Sequence, residues 1–474
     1  MPERYNSYRG GLVFEGVLQV QTPLHIGAGF DQAAPTKDHP DARVAPVLLG
    51  DGSLPVITST GLKGAMRALV GDWRHELGPN ERGGDRLFGL APNKQTDTGG
   101  RAGCLIPSAA LLQEPAGVEQ RVEPAAMRSE KRGSYHAVRT AIDGAAGVPK
   151  DHLLFTAEMV APGAKFKFRL RLQGDPDGLS RTVLDGTASL LKTLQKNGLR
   201  LGRGRGDGQG LVILEPTVAV TKIWVQGHKV ETCDASKDWN KLIQDAPIFE
   251  EAGRVYTLKL SSLEPFLVMA SRPEPDQPRS DEPGNENRAL RYDANTPDLP
   301  GTSLMGALRA RAEWLLRLRA LRHESMANED LLLAEAFGLT ADEQRDEAFL
   351  QRFARHIGKP EPEITGFAGL LTIERILMDQ AVPKKISSVK LDRFTQSPMD
   401  TALFVTEAFL QPSGTVRLRL RERARLESDH HALQQYVEAL LNDVTREGPR
   451  QGLMLGHGSN RGFGWFDVAE ADGR

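Results

Sequence analysis

The segment LKGAMR at residues 62–67 returns 242 positions later as LMGALR at residues 304–309. Other short matches keep the same order in both halves of the chain: TPL (22–24) with EPF (264–266), LFGL (87–90) with AFGL (336–339), and LGRG (201–204) with LGHG (455–458). Chance similarity would not preserve this order over two halves of a chain. The sequence therefore predicts two copies of one domain, residues 1–220 and 254–474, joined by a junction over residues 221–253.

Both copies show the same sequence of predicted elements. Alternating apolar residues predict a first strand at 11–22 and at 254–263. Hydroxyl residues able to cap a helix follow, Ser59 or Thr60 in one copy and Thr302 or Ser303 in the other. Hairpins are predicted at 153–172 and 402–420, later helices at about 182–197 and 430–445, and loop insertions at 112–138, 272–298 and 340–366. This βαββαβ order predicts an α+β protein made of two tandem ferredoxin-like domains.

The composition excludes several classes of protein. Lys and Arg number 60 against 62 Asp and Glu, a net charge of −2, which argues against a histone-like protein and against an acidic disordered chain. Only Cys104 and Cys233 occur, so neither a disulfide framework nor a CxxC metal site is expected. No apolar stretch approaches ~18 residues, and the first ten residues are polar. We therefore expect a cytoplasmic protein without a membrane segment.

The glycine-rich loop LGRGRGDGQG at 201–210 is the clearest local motif. A dinucleotide-binding loop would follow a strand and open a helix, whereas this loop follows a predicted helix and precedes the predicted strand LVIL. Glycines let backbone N–H groups approach a ligand closely. Four cationic residues of the two loops favour binding of a phosphodiester backbone, with a plain turn as the alternative: Arg203, Arg205, His457 and Arg461.

The start of the first helix of each copy is a second candidate site. The segments ITSTGLKGAMR (57–67) and LPGTSLMGALR (299–309) place hydroxyl groups beside the free N–H groups of a helix N-terminus, which attract anions. Lys63 and Arg67 lie on one face of the first helix. The alternative interpretation is ordinary capping with two solvated charges.

Together these motifs resemble the RAMP superfamily (repeat-associated mysterious proteins) of CRISPR effector subunits. The resemblance is carried by the segments TPLHIGAG (22–29), LPVITSTGLKGAMR (54–67), RLFG (86–89), RTAIDGAAGVPKDHLLFTAEMVAPGAKF (139–166), SSVKLDR (387–393), LFVTEAF (403–409) and the two glycine-rich loops. The likeness is greatest to the backbone subunit of type III complexes. The chain looks like two such backbone domains fused in tandem, as in type III-D-like systems.

The resemblance implies an RNA-recognition-like ferredoxin core that holds the phosphates of a guide RNA. It also implies a thumb hairpin, near 139–152 and 388–401, that separates guide from target bases. The implied partners are guide RNA, complementary target RNA and other effector subunits. The candidate RNA-binding residues are Ser59, Thr60, Lys63, Arg67, Arg139, Arg203, Arg205, Thr302, Ser303, Arg309, Lys384, Lys385, Lys390, Arg393, His457 and Arg461.

In this family the backbone subunits that cut target RNA use an Asp two residues before a Pro-Val or Pro-Ile pair. Val44 occupies that position here, with Asp41 nearby. In the second copy the segment starting at Asn287 fills the slot, with Asp281 and Asp293 as the nearest candidates. If any of these carboxylates is catalytic, Mg²⁺ or another divalent cation would be its cofactor; otherwise no cofactor is expected.

Three functions remain open at this point. The first is a guide-RNA-binding backbone subunit that also acts as a metal-dependent endoribonuclease on target RNA. The second is a backbone subunit without catalysis. The third is a stand-alone endoribonuclease that processes guide precursor, which would need a general base such as His25, His136 or His457.

Overall fold

A computed structural model gives the fold of the chain. It describes residues 10–33, 43–50, 53–71, 83–90, 100–118, 128–142, 149–174, 180–226, 229–249, 251–269, 286–323, 327–340, 342–358, 366–422, 427–445 and 452–471.

The described part of the first half begins with a long strand. Its strands are β1 (Gly10–Val20), β2 (Gln32–Ala33), β3 (Arg43–Ala45), β4 (Val56–Ile57), β5 (Gly89–Leu90), β6 (Arg101–Ala102), β7 (Leu105–Pro107), β8 (Ala110–Glu114), β9 (Arg128–Ser129), β10 (Ser134–Ile142), β11 (Pro149–Val160), β12 (Lys165–Gln173), β13 (Leu199–Arg200), β14 (Leu211–Leu214), β15 (Ala219–Gln226) and β16 (Lys229–Asp234). Its helices are α1 (Ser59–Val70), α2 (Gly83–Phe88), α3 (Arg181–Lys196) and α4 (Ser236–Asp245).

The second half repeats the arrangement with a longer first helix. Its strands are β17 (Gly253–Ser261), β18 (Glu286–Asn287), β19 (Leu371–Met378), β20 (Val382–Leu391), β21 (Pro398–Leu410), β22 (Ser413–Arg421), β23 (Leu453–Met454) and β24 (Trp465–Glu470). Its helices are α5 (Gly301–Leu321), α6 (Glu329–Phe337), α7 (Glu347–His356) and α8 (Glu427–Thr445).

Both central sheets have the ferredoxin-like strand order. In the first half the order is β14-β1-β12-β8, and in the second it is β24-β17-β22-β19. If the four core strands of each half are numbered along the chain, both orders read 4-1-3-2, with helices α1 and α3, or α5 and α8, as the connections. The predicted fold class, α+β with two tandem ferredoxin-like domains, is confirmed.

Alternation along the central strands builds each core. In β12, KFKFRLRLQ, the side chains of Phe166, Phe168 and Leu170 are buried while the basic residues between them face outward. Helix α1 covers this apolar face with Leu62, Met66 and Val70, which recur every four residues. Each large apolar side chain buried in this way contributes about 1.5–3 kcal/mol.

The helix-capping residues predicted from the sequence are wrong by one to three positions. Thr58, and not Ser59 or Thr60, caps α1, because its Oγ1 accepts a hydrogen bond from the Gly61 N–H at 3.1 Å. In the second domain α5 begins after Pro300, and no side chain caps it. The hydroxyl groups of Thr302 and Ser303 therefore lie inside the first turn of their helix.

A second, smaller sheet leaves the core in each domain. Strands β10 and β11 form an antiparallel hairpin that joins β3, while β20 and β21 form the equivalent hairpin beside β18. The stretches 153–172 and 402–420 each predicted one hairpin within the core. Instead their first strands belong to these side sheets and their second strands to the central sheets, because the connecting turn moves the chain from one sheet to the other.

The stretch predicted as a junction is folded onto the first domain. Strand β15 pairs with β1, and β16 extends the sheet from β15. Helix α4 then places Trp239 edge-on against Phe14, with ring centroids 4.8 Å apart. These residues belong to the first hydrophobic core, so the segment adds to that domain.

The two domains meet where the glycine loop of the first one contacts α5 and β19 of the second. The 3-10 turn Arg205–Asp207 and Gly208 lie against Gly301 and Ile373. Hydrogen bonds join Arg200 to the Glu374 carbonyl and Arg419 to the Glu251 carbonyl. We call this contact the seam.

Within the described residues, no helix has the length and apolar character required to cross a bilayer.

Candidate nucleic-acid interface

The two glycine loops have the same backbone geometry. The N–H of Arg203 donates to the His25 carbonyl at 3.0 Å, and the N–H of His457 donates to the Leu267 carbonyl at 2.8 Å. At Gly202, where φ is +73°, an added Cβ would lie 2.0 Å from the His25 oxygen. Only glycine fits both the left-handed backbone and this close approach. Each loop is therefore seated rigidly on the segment that follows the first strand of its domain.

In the first domain this loop places Arg203 over an aromatic ring. The guanidinium carbon lies 5.9 Å from the ring centroid of Phe155, an exposed residue of β11. The pair stands on the hairpin β10–β11, with Phe155 opposite Arg139 in the strand register. The Arg139 side chain lies outside the described residues.

The second domain builds the same kind of pair from a different loop position. Arg461 lies 5.6 Å from the ring centroid of Phe404 and 5.7 Å from that of Phe463. Phe404 occupies the position in β21 that Phe155 occupies in β11. An arginine beside an accessible ring can pair with a phosphate while the ring stacks on a base.

The hairpin β20–β21 ends in an exposed aromatic residue. Phe394 is 95% exposed at its turn. Asp392 holds this turn, since its Oδ1 accepts hydrogen bonds from the N–H groups of Phe394 and Thr395 and from the Thr395 hydroxyl, at 2.8–3.0 Å. Hydrogen bonds to the charged carboxylate, those from Thr395 and Phe394, lower the pKa of Asp392.

Basic and apolar side chains accompany this turn along the hairpin. Val389, Leu391 and Leu403 are each about half exposed on it. All four predicted basic residues are exposed on the same hairpin: Lys384, Lys385, Lys390 and Arg393. The hairpin β20–β21 therefore combines positive charge with apolar surface, which suits contact with nucleic-acid backbone and bases together.

The residues predicted to bind RNA at the helix starts differ in exposure and in their partners. Ser59 and Lys63 are half-buried and Thr60 is exposed at the start of α1, and Arg67 forms an ion pair with Asp85 of α2. Arg309 is turned away from the start of its helix. Its guanidinium binds Glu313 at 3.0 Å, Glu343 at 3.2 Å and the Gly338 carbonyl at 2.8 Å.

Arg205 is exposed at the 3-10 turn of the first glycine loop. It lies close enough to Arg421 of β22 that the two positive charges repel. Burial lowers the pKa of the Arg421 guanidinium; Glu251 opposes this shift and the repulsion from Arg205 reinforces it. Thr302 and Ser303 are half-buried in the first turn of α5, next to the same seam. The first glycine loop thus contributes to a domain contact as well as carrying exposed cations.

Of the three catalytic candidates, Asp293 lies within the described residues. Asp41 and Asp281 lie outside the described residues. The carboxylate of Asp293 accepts hydrogen bonds from the N–H groups of Asn295 and Thr296, both at 2.9 Å, and from the Thr296 hydroxyl at 3.0 Å. These bonds give Asp293 an ordinary turn-forming role.

Strand register places a different residue at the slot expected for the catalytic Asp, and the described backbone gives its position but not that of its side chain. Val44 of β3 pairs in parallel with Thr156 of β11, and Glu286 of β18 pairs in the same way with Val405 of β21. Thus Glu286, rather than Asn287, is the counterpart of Val44. Among the described residues no group of three or more His, Cys, Asp or Glu side chains converges as a metal site.

A buried glutamate anchors the segment beside β3. Glu158 of β11 accepts hydrogen bonds from the Ser134 hydroxyl at 2.7 Å and the Val47 N–H at 3.1 Å, and Arg132 lies at 3.4 Å. The ring Nδ1 of His25, itself only 3% exposed, lies 2.7 Å from the Glu158 carbonyl. This position gives His25 a structural role and removes it as an accessible general base.

In the second domain the equivalent Glu407 binds Arg291, which also lies over the ring of Phe409 at 5.8 Å. The glutamate is therefore placed at the same point of both side sheets, but with a different partner. In each case it ties the side sheet to the segment that leads to the first helix.

Two tandem stretches of the sequence, residues 17–213 and 218–467, match the RAMP superfamily. The chain belongs to the RAMP superfamily. This membership carries a CRISPR-associated, RNA-binding function and agrees with the two ferredoxin-like domains. No curated protein matches the sequence.

Sequence reasoning found the glycine loops and their arginines but missed the rings beneath them. Phe155 and Phe404 stand in the matching segments LLF (153–155) and ALF (402–404). An aromatic residue at the same place in both repeats was the available signal. The pairing itself depends on how the loop folds back over β11 and β21, which no local pattern reveals.

Proposed function

We propose that this RAMP protein is a guide-RNA-binding backbone subunit of a type III ribonucleoprotein effector in antiviral defence. The observation that carries the proposal is the repeated aromatic–arginine pair, Arg203 over Phe155 and Arg461 over Phe404. Each pair stands where a rigid glycine loop meets a projecting hairpin. Such a site can hold one phosphate and stack one base without reading its sequence, as a subunit that accepts many guides requires.

The hairpin β20–β21 supports the same function. Its exposed Phe394 sits on a turn fixed by Asp392, so the ring is presented without a loop having to order. Lys384 and Lys390 supply charge along its length. We assign this hairpin the role of separating guide from target bases, with the phosphate contacts compensating for the cost of unstacking.

The direct test is to purify the chain from its native cell and sequence the RNA bound to it. We expect RNAs of defined length that begin with a repeat-derived 5′ tag and continue into variable spacer sequence. RNA without that tag, or a random sample of cellular RNA, would contradict the assignment to a guide-RNA complex.

The interface itself is tested with the double variant Phe404→Ala/Arg461→Ala. Loss of one phosphate contact lowers the salt slope of single-strand binding by about 0.7, and loss of base stacking weakens binding by about 1–3 kcal/mol. The matched control is Tyr256→Ala/Arg254→Ala, which removes another arginine–ring pair, at 5.7 Å, from the start of strand β17 in the second central sheet. Equal RNA affinities for both variants and the parent would rule out the Phe404 site.

For target cleavage we propose that the two domains differ. Val44 stands at the critical backbone register position of the first domain, and Glu286 is the residue at that position in the second. A carboxylate there can accept the proton of an RNA 2′-OH while the 2′-oxygen attacks the adjacent phosphorus. The 5′-oxygen of the next nucleotide leaves and takes a proton from water, and a 2′,3′-cyclic phosphate remains.

A labelled complementary RNA offered to the assembled complex tests this assignment. We expect one cut opposite the second domain, lost in Glu286→Gln and retained in Asp293→Asn. Asp41→Ala and Asp281→Ala test the remaining candidates separately. If the parent leaves the RNA intact, the subunit is purely structural; if Glu286→Gln cuts as the parent does, Glu286 is not the base.

A further inference from the structure

The seam depends on two glycines, one on each side. A Cβ added to Gly301, the first residue of α5, would lie 1.9 Å from the carbonyl oxygen of Asp207. A Cβ added to Gly208 would lie 2.9 Å from the Ile373 side chain. The glycine loop of the first domain therefore reaches the helix start of the second only because side chains are missing at this point.

Charged groups complete the seam around these glycines. Arg200 donates to the Glu374 carbonyl. The Glu374 carboxylate in turn binds Arg417 at 2.6 Å and also Arg419. Arg419 donates further to the Glu251 carbonyl at 2.7 Å. The outward arginines of β22 are thus neutralised by carboxylates where the first domain approaches.

Because the chain is a tandem repeat, each of the two surfaces that form the seam has a counterpart in the other domain. Neither counterpart takes part in the seam. The outer loop (residues 456–464) is the counterpart of the first glycine loop, and its residues Ser459–Arg461 are exposed. The outer face consists of the start of α1 and strands β7 and β8, the counterparts of α5 and β19. If a second copy of the chain docked there as the first domain docks on the second, the result would be an open, head-to-tail filament.

The residues that form the seam are replaced by different residues in both the outer loop and the outer face. Ser59 stands at the first position of α1, where α5 has Gly301. Pro107 and Ile373 pair with Leu170 and Leu418 at the same register, so Ser108 takes the place of Glu374. In the outer loop the equivalents of Asp207 and Arg200 are Arg461 and Met454.

Each of these differences opposes docking of a second copy. The Cβ of Ser59 would meet the incoming backbone where Gly301 leaves room. Arg461 would approach Arg169 and Arg171, the exposed counterparts of Arg417 and Arg419, with no carboxylate at the position of Glu374. Glu15 pairs with Arg169 at 3.6 Å, but both side chains are largely exposed, so this pair offsets the repulsion only in part. Steric overlap and like charge at one interface are effective means of excluding a partner.

We propose that the seam is a joint that this chain forms only within itself, once per molecule. The outer face fits a different protein, whose incoming loop brings a carboxylate to Arg169 and Arg171 and clears Ser59. A second copy of this chain is excluded. The inference rests on the repeat and the seam, and it is independent of RNA binding and of cleavage.

The steric half of the proposal is tested within the chain. Gly301→Ser gives the second domain the residue that the first has at Ser59, and we expect the seam to open. Amide hydrogen exchange at residues 371–378 should then rise at least about tenfold, a factor that corresponds to about 1.4 kcal/mol of lost protection. Gly306→Ser is the matched control, because an added Cβ at Gly306 in the same helix meets nothing within 4 Å. Unchanged exchange in Gly301→Ser would overturn the proposal.

The electrostatic part of the proposal is tested by measuring association between separate chains from which nucleic acid has been removed. The face variant is Ser59→Gly/Ser108→Glu, and the loop variant is Met454→Arg/Arg461→Asp. We expect the parent and each variant alone to sediment as monomers, and the two variants mixed to form a one-to-one complex that protects residues 105–114 from exchange. A tethered joint acts at an effective concentration of about 1 mM, so the mixture is studied at high protein concentration. Filaments of the parent that protect residues 105–114, or no association in the mixture, would overturn the proposal.

Discussion

Equivalent residues in the two domains hold different partners. Glu158 binds the Ser134 hydroxyl and the Val47 N–H, while Glu407, at the same point of the repeat, binds Arg291. Phe14 packs against Trp239 in the first core, whereas its counterpart Tyr256 lies beneath Arg254. A duplicated fold evidently preserves the position of a backbone anchor and allows the groups around it to change. The predictions below test how far each domain depends on its own set of partners.

Removal of Trp239 should have the largest effect. Trp239→Ala leaves a cavity against Phe14 in a core where Trp239 is 8% exposed, and such a truncation costs about 3–5 kcal/mol of unfolding free energy. Arg254→Ala, which removes the exposed partner of Tyr256, should change it by less than about 1 kcal/mol. Urea denaturation of the full chain measures both. A small effect of Trp239→Ala would show that α4 is not part of the first domain.

Replacement of Glu158 and of Glu407 should lower the free energy of unfolding by different amounts, and this difference is smaller than the previous one. Glu158→Ala leaves a buried hydroxyl and a buried N–H without acceptors, and each such loss costs about 1–3 kcal/mol. Glu407→Ala frees Arg291, whose side chain remains 15% exposed and can reach water, so we expect about 1–2 kcal/mol. Thermal unfolding of both variants checks the order, and equal losses would remove the distinction between the two anchors.

Gly208 and Gly462 offer a closer comparison. Their φ angles, +80° and +77°, are nearly the same, so replacement by alanine imposes the same backbone penalty of about 1–2 kcal/mol at either site. Only at Gly208 does the new Cβ also meet Ile373, whereas at Gly462 it meets nothing within 4 Å. Gly208→Ala should therefore destabilise the chain by more than Gly462→Ala, and the excess measures the seam. Equal melting temperatures would mean that the seam yields at little cost.

The smallest effect concerns pH. His136 stands opposite Glu158, as Lys385 stands opposite Glu407. Burial lowers the pKa of His136 from 6.5, an effect that Glu158 partly opposes and Arg132 reinforces. Since the unfolded chain takes up this proton first, the contribution to stability is complete above pH 6.5 and declines as the pH falls toward the lower folded value.

His136→Gln should remove that part of the pH dependence. Its melting temperature between pH 5 and 7 should fall less than that of the parent, and the two curves should run parallel above pH 7. A parent curve that is already flat below pH 6.5 would show that His136 titrates normally in the folded protein.

The repeat and the strand order could be predicted from the sequence because both rest on local signals. Alternation in KFKFRLRLQ and the ordered matches such as LKGAMR with LMGALR were sufficient for the ferredoxin-like order. The side sheets were not predictable in the same way. Residues 165–172 alternate strictly and predict a strand, but only the tertiary structure shows that the turn between β11 and β12 leads from one sheet to another.

The sequence predicted the charged residues of the candidate nucleic-acid interface but not their arrangement in space. Arg203 and Arg461 were found because they flank glycines, yet their aromatic partners depend on contacts far apart in sequence. Arg309 was expected to face RNA because it matches Arg67, but the insertion that follows brings Glu343 to it. The sequence analysis also placed Asn287 at the catalytic slot, although the 242-residue offset of the flanking repeats leads from Val44 to Glu286, and the β18–β21 register shows that this offset applies there.

The turn at Phe394 has an energetic consequence. A fully exposed aromatic side chain keeps a hydration shell that the folded protein does not relieve, and covering it would release about 1.5–3 kcal/mol. Flexible loops lose much of such a gain to the entropy of ordering. Here the hydrogen bonds of Asp392 have already fixed the backbone, so nearly all of the gain is available to any ligand that covers the ring. The tip should therefore contribute to affinity with a negative heat-capacity change and with almost no dependence on salt.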